Sequence, residues 1–311
     1  MVKLVFVFPG QGSQSVGMGK ELVSKYSAAA GIYDQAGEAL GRDIARLCFE
    51  GPEEELARTE NAQVALFVHS MAVAAVLHEM DVSADVVTGH SLGEYSALCS
   101  AGSISFVECL NLVAKRGEAM GKAAAERPGA MAAILGLEDE KVEQICSESG
   151  EVWPVNYNSP GQLVVSGETS SVERAMLRAD EAGAKKTVRL AVSGSFHSPL
   201  MRPAAGVMKK ELATVRFSDP SPPFLSSISC GYEEAGSLAD LLVRQVVSPV
   251  RWRQAVEELI QDGAEMFVEA GNGKALCGLI RRINRSVATA AVSDPESIDK
   301  LIASLQAGRK A

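Results

Sequence analysis

The sequence has six cysteines, Cys48, Cys99, Cys109, Cys146, Cys230 and Cys277, but no Cys-x-x-Cys pair. Without that spacing neither a zinc ribbon nor a dithiol redox motif is expected, and the six read as reduced core residues. Histidine is scarcer still. His69, His78, His90 and His197 show no i,i+4 pairing and no neighbouring acidic or cysteine cluster, so no metal site is expected. Basic charge does not dominate either: the net charge of -9 excludes a general nucleic-acid binder, and any acidic partner would have to be met by a local patch. No apolar run has the length of a membrane span. The longest, Asn61 to Leu77, is alanine-rich and interrupted by His69 and Ser70, which fits a buried helix and no membrane partner. Met1 leads almost directly into the apolar run Leu4–Phe8, without the blocks of a signal peptide, so a cytoplasmic location is expected. No self-similar period of about 20 to 50 residues recurs.

Phosphate loops are missing too. A dinucleotide fingerprint counted from Gly10 needs a glycine where Ser15 stands. Gly19-Lys20 lacks the earlier glycine of a Walker loop and is followed by Glu21, and Gly273-Lys274 fails at Val268 and Ala275. What remains of Pro9-Gly10-Gln11-Gly12-Ser13-Gln14 is a loop with free backbone N–H groups at the end of a strand. It can supply an oxyanion donor or be a plain structural turn.

What is present is an ordinary globular composition, 47% apolar and 22% charged over 311 residues. That length predicts one elaborated domain or a large domain carrying a smaller one. Strands are expected at Val2–Phe8 and Val86–Val87, with helices around Lys20–Ala30, Asp34–Ala39, Gln63–Glu79 and from near Leu92 to Leu98. Ser105 with Glu108 is a capping box opening a further helix to about Ala125. The alternation predicts a parallel sheet with helices on both faces. Between Pro128 and Val192 the rhythm becomes β-α-β-β-α-β, the order of a ferredoxin-like unit, and predicts an inserted small domain. The expected division is 1–126 and 193–311 for the core and 127–192 for the insert. The α/β pattern then resumes with helices at Pro199–Thr214, Leu238–Val246 and Trp252–Asp262, strands near Phe224–Ile228 and Met266–Glu269, and a helix from Gly271-Asn272-Gly273 through Arg282.

The chemistry concentrates on Gly89-His90-Ser91-Leu92-Gly93, placed between a strand and a helix. Flanking glycines allow a tight turn that lifts the serine hydroxyl off the sheet and aims the next N–H at a forming oxyanion. A serine nucleophile needs a base. His90 adjoins Ser91 but projects in another direction; His197, in the loop Ser193-Gly194-Ser195-Phe196-His197-Ser198-Pro199, can return over the nucleophile and is preferred. Arg116 interrupts the helical stripe Cys109, Leu112, Val113, Arg116, Met120. A guanidinium facing inward requires a partner: an internal carboxylate, a snorkelling route to solvent, or the free acid of an acyl donor.

These residues resemble the malonyl-CoA:acyl carrier protein transacylases, through Phe8-Pro9-Gly10-Gln11-Gly12-Ser13-Gln14, Gly89-His90-Ser91-Leu92-Gly93-Glu94-Tyr95, Arg116, Asn156-Tyr157-Asn158-Ser159-Pro160, Phe196-His197, Ser248-Pro249-Val250-Arg251-Trp252 and Gly271-Asn272-Gly273-Lys274. The resemblance implies an α/β-hydrolase-like core with a parallel sheet plus an inserted ferredoxin-like small domain. It implies that Ser91 attacks a malonyl thioester, His197 accepts its proton, and the backbone N–H groups of Gln11 and Leu92 hold the oxyanion. Gln245 matches the position whose backbone carbonyl orients the histidine, so no triad acid is expected. Arg116 would bind the malonyl carboxylate, and Phe196 would favour malonyl over bulkier acyl groups. The implied reaction is ping-pong, from malonyl-CoA to the phosphopantetheine thiol of acyl carrier protein, with no permanently bound cofactor and coenzyme A thioester as substrate. Lys185, Lys186, Arg189, Arg281, Arg282 and the nearby Arg285 resemble the family's carrier-docking surface, although solvated faces are the ordinary reading of such runs. A monomer is expected. The competing functions are a stand-alone polyketide-synthase acyltransferase, a serine thioesterase or esterase, and a catalytically idle carrier-binding subunit. The turn departs from the family's usual Gly-Pro-Gly-Lys at Asn272.

Overall fold

A computed structural model describes residues 3–192 and 194–308; Ser193, with which the histidine loop begins, Met1, Val2 and the last three residues lie outside the described residues. The first apolar run forms β1 (Lys3–Phe8), with all but its first residue buried. The strands after it are β2 (Val86–Gly89), β3 (Gly129–Leu135), β4 (Val152–Ser159), β5 (Gln162–Glu168), β6 (Lys186–Arg189), β7 (Phe224–Leu225), β8 (Tyr232–Glu233), β9 (Ala264–Ala270) and β10 (Ala288–Val292).

They form two separate sheets. A six-stranded sheet has the order β10-β9-β1-β2-β7-β8. It is parallel except for the β7–β8 hairpin at one edge. A four-stranded antiparallel sheet has the order β4-β5-β3-β6. Parallel strands joined by helical crossovers are covered on both faces, so β1 and β2 read as continuous apolar runs and not as alternation. The helix Thr59–Glu79 is long and apolar enough to cross a membrane, yet 83% of its apolar window is buried here: it is a core helix of the chain.

The two sheets are stitched where β4 meets the segment before Trp252. Val250 donates its N–H to Val155 and accepts from Tyr157, at 2.8 and 2.9 Å. Four cysteines are buried, Cys99 and Cys230 are partly exposed, and all six are free thiols.

Several boundaries differ from the sequence reading. The stretch from Lys20 to Ala39 is divided at Tyr26, which is extended between the helices Lys20–Lys25 and Ser27–Leu40. A buried tyrosine in an extended link leaves no trace in helical periodicity. Helices Ile44–Glu50 and Glu53–Ala57 are additional, as are β8, β10 and the helix Pro295–Gly308. The helix expected from Pro199 begins as a single 3₁₀ turn and continues as Arg202–Leu212.

Candidate active site

The C-terminal ends of β1, β2, β7 and β9 all deliver loops to one edge of the six-stranded sheet, where open parallel sheets place their ligands. Phe8 and Gly89 are register partners, so the loop after β1 and the turn after β2 leave the sheet side by side. That turn tolerates only glycine at its ends. A Cβ on Gly89 would lie 2.0 Å from the carbonyl carbon of Gly93, and one on Gly93 would lie 2.0 Å from the Phe8 carbonyl oxygen. Between them Ser91 has φ 53, a left-handed conformation unusual outside glycine. The strain is stored where the hydroxyl must stand clear of the backbone.

His197 reaches this serine from 106 residues away, its Nε2 lying 2.7 Å from Ser91 Oγ. It is itself left-handed, with φ 61. Its Nδ1 lies 2.9 Å from the backbone oxygen of Gln245. A carbonyl only accepts, so Nδ1 carries the proton and Nε2 is left to accept from the serine. Burial first, and next the Arg116 guanidinium, push the imidazole down to about 3, so it is neutral and available as a base at ordinary pH. His90 points elsewhere: its Nε2 lies 3.0 Å from Asn158 Oδ1 on β4, tying the nucleophile turn to the second sheet.

Arg116 is 1% exposed, on the helix Phe106–Glu126 that Ser105 caps. The whole stripe of Cys109, Leu112, Val113, Arg116 and Met120 is buried. The internal ion pair that the sequence allowed is not formed among the described residues. Nη1 donates to Gln63 Oε1 at 2.6 Å, and Nη2 donates to Gln245 Oε1 and to Ser91 Oγ, both at 3.0 Å. Nε has no hydrogen-bond partner among the described residues. The Tyr95 ring lies under the guanidinium at 5.5 Å. A buried cation surrounded by neutral acceptors, one of them the nucleophile, retains a strong preference for an anion that can enter beside Ser91.

The remaining candidates fall in two places. Gln11 stands on the loop after β1, its side chain donating to Thr59 Oγ1 at 3.3 Å, and Leu92 follows the nucleophile with its side chain buried. Among the described residues neither backbone N–H donates to a protein group. Phe196 is 5% exposed beside His197. Lys185, Lys186, Arg189, Arg281, Arg282 and Arg285 are exposed, and none of them makes a hydrogen bond to the Ser91, His197 or Arg116 side chains among the described residues. Leu135 is in register with both Lys186 and Gln162, and Arg282 donates to the Gln162 side chain, so Lys186 and Arg282 share one end of the four-stranded sheet. Arg189 is paired with Glu173 at 2.8 Å.

Sequence reasoning did not single out Gln63, Glu94, Asn158, Ser226 or Ser227, nor the side chain of Gln245. Glu94 is fully buried and accepts from Ser226, Ser227 and Gln245. A signal existed for Gln63, which like His69 and Ser70 is a polar residue within the apolar run of its helix. Among the described residues no group of three or more His, Cys, Asp or Glu could hold a metal ion.

Residues 5–302 match the acyl transferase domain family. The malonyl CoA-acyl carrier protein transacylase of Bacillus subtilis is 44% identical over 311 aligned residues, covering 98% of each chain. The crystal structure of an acyl carrier protein S-malonyltransferase from Vibrio cholerae superimposes with a TM-score of 0.93 at 42% identity, over 96% of this chain and 99% of that one. A malonyl-transacylase solved in complex with a type II polyketide acyl-carrier protein gives a TM-score of 0.93 at 40% identity, over 95% and 97%. A serine held against a histidine and an unpaired buried arginine, in a chain matched this fully, identifies the family. The chain belongs to the acyl transferase domain family and, within it, to the malonyl CoA-acyl carrier protein transacylases.

Proposed function

We propose that this protein moves its acyl group through a malonyl ester on Ser91. The activity of the family is transfer of malonyl from coenzyme A to acyl carrier protein, supplying malonyl-acyl carrier protein for fatty acid synthesis. The observation that carries the route is the set of contacts at Ser91: 2.7 Å to a neutral imidazole and 3.0 Å to an unpaired guanidinium.

In the first half-reaction Ser91 Oγ attacks the thioester carbonyl as its proton passes to His197 Nε2. The oxyanion is held by the N–H groups of Gln11 and Leu92, which have no acceptor among the described residues. Collapse of the tetrahedral intermediate breaks the C–S bond, and the imidazolium returns the proton to the departing thiolate of coenzyme A. The second half-reaction reverses these roles. His197 takes the proton of the pantetheine thiol, the sulfur attacks the Ser91 ester, and the serine oxygen leaves with that proton. Throughout, Arg116 holds the malonyl carboxylate, a single methylene from the reacting carbonyl. The Gln245 carbonyl keeps His197 in one tautomer, which replaces a triad acid. No permanently bound cofactor is required.

Phe196, adjacent to the base, is proposed to restrict the acyl pocket to malonyl. One extra methyl is worth only about 1–3 kcal/mol of discrimination in such a pocket. For the architecture, we assign 127–192 as a ferredoxin-like subdomain, supported by the order β4-β5-β3-β6 and its two helices. We assign 1–126 and 193–311 as an α/β-hydrolase-like core, supported by the nucleophile turn after β2, and read the protein as a cytoplasmic monomer.

Incubation with malonyl-CoA is expected to give a covalent adduct, visible by intact mass, that disappears when acyl carrier protein bearing its thiol is added. Release as free malonate without that acceptor would mark a hydrolase, and absence of any adduct would overturn the route. The carrier is proposed to dock on the sheet end shared by Lys186 and Arg282, the acidic partner meeting local basic charge on an acidic protein. Reversing charge at both positions is expected to weaken transfer to carrier protein about tenfold at low salt, while malonylation of Ser91 by malonyl-CoA is unchanged. Equal loss in both half-reactions would exclude a docking role.

A further inference from the structure

Arg116 and Glu94 are both buried and of opposite charge, yet they do not touch; the Gln245 side chain stands between them. Its Nε2 donates to Glu94 Oε2 at 2.6 Å and to the backbone oxygen of Ser91 at 3.0 Å, while its Oε1 accepts from Arg116 Nη2. The other Glu94 oxygen is occupied separately. Oε1 accepts from the Ser226 hydroxyl at 2.9 Å, the Ser227 amide at 2.6 Å and the Ser227 hydroxyl at 3.0 Å. Burial raises the Glu94 carboxyl, whereas the Gln245, Ser226 and Ser227 donors lower it by favouring the ionised form, which can only accept; a guanidinium can only donate. The amide between them therefore has one favourable orientation, with nitrogen toward Glu94 and oxygen toward Arg116.

The geometry points to Glu94 as a positioning residue for acyl selection. Together with the Ser91 backbone oxygen, it holds the Gln245 amide in one sense, keeps Arg116 Nη2 beside Ser91 and balances the guanidinium charge without occupying its donors directly. A carboxylate in direct contact with Arg116 would compete with the malonyl group. Placed one amide away, it leaves the guanidinium facing neutral acceptors, which an entering carboxylate can displace, and its Nε without a hydrogen-bond partner among the described residues. The same residue, Gln245, carries the backbone oxygen that accepts from His197, so the relay links the base and the carboxylate binder at one position. This inference rests on the reading of Arg116 as the malonyl-binding group.

The test is Glu94→Gln, which keeps shape and retains an oxygen for the Ser226 and Ser227 donors. Its amide nitrogen would then face Gln245 Nε2, and the Gln245 amide would turn and present a donor to Arg116. Acylation of Ser91 is measured with malonyl-CoA and with acetyl-CoA, which has no free carboxylate. The kcat/KM for malonyl-CoA is expected to fall about tenfold or more, the size of one charge-assisted hydrogen bond, and that for acetyl-CoA much less. Removing a negative charge would by itself draw the malonyl carboxylate in, so a malonyl-specific loss reports orientation and not long-range field. Gln245→Met cuts the relay while leaving Glu94's other donors, and is expected to give the same selective loss. It carries the test alone if Glu94→Gln does not fold. Where both variants fold, the double variant should be no worse than the more damaged single one. Equal losses on both substrates, no loss, or multiplicative effects would overturn the role of Glu94. Arg116→Ala is the control: if it fails to shift the malonyl-to-acetyl ratio, the reading of Arg116 itself fails.

Discussion

Ser91→Ala is expected to remove the malonyl adduct completely and to lower transfer by at least about 10⁴-fold, the scale on which a covalent nucleophile is lost. Among the described residues no second hydroxyl contacts the His197 ring. Among them only Ser91 combines a hydroxyl 2.7 Å from the His197 imidazole with a left-handed backbone that lifts it from the sheet. His197→Ala should lose nearly as much, and the double variant little more, because nucleophile and base act in one step. Intact mass and transfer rate together check this. An adduct persisting in Ser91→Ala would place the acyl group elsewhere and dismantle the mechanism.

Arg116→Ala is expected to reverse acyl preference. Malonyl-CoA should lose roughly 10²- to 10³-fold in kcat/KM, corresponding to loss of a paired, charge-assisted contact in a buried site. Acetyl-CoA, with no carboxylate to hold, should lose far less. Arg116→Lys should not restore malonyl, since an ammonium cannot reproduce the fork. A second readout follows from electrostatics. The guanidinium is, after burial, the leading cause that depresses His197 to about 3, because a neighbouring cation disfavours the imidazolium. Without it, protonation of His197 becomes easier and its pKa rises toward the ordinary histidine value. The active form is the neutral base, present above that pKa. The acid limb of acetyl-CoA kcat/KM should therefore move to higher pH in Arg116→Ala, whereas the wild type keeps activity well below pH 6.5. An acid limb unmoved by the substitution would mean that Arg116 does not act on the base.

The parts of this site that can be read from the sequence are those with a local cause. The nucleophile turn follows from glycines whose Cβ atoms would strike the backbone within a few residues or on the neighbouring strand. The inward position of Arg116 follows from helical spacing alone. The β-α-β-β-α-β order between Pro128 and Val192 can be read because each segment is long enough to show its period. Shorter elements escape that test. β10, Ala288–Val292, is alanine-rich and is a strand because β9 pairs with it. The helix Ile44–Glu50 has too few turns for periodicity; in the structure Asp43 caps it, its side chain accepting from the Arg46 amide. The last helix begins at Pro295 after Asp294, whose side chain accepts from the Ser297 amide.

Partner identity is of another kind. The sequence by itself determined which residues had to be unusual: a serine in a turn only glycines can flank, an arginine on an apolar stripe and a histidine on a loop after an insert. Only the tertiary structure decided what they face. Among the described residues Arg116 finds Gln63 and Gln245, 53 and 129 positions away, and no carboxylate; Glu94 is linked to it through the Gln245 amide, 151 positions along the chain from Glu94. Helical and strand periods are set by neighbouring residues and act within a few positions. The balance of buried charge is settled where distant strands end side by side, and no local spacing encodes it.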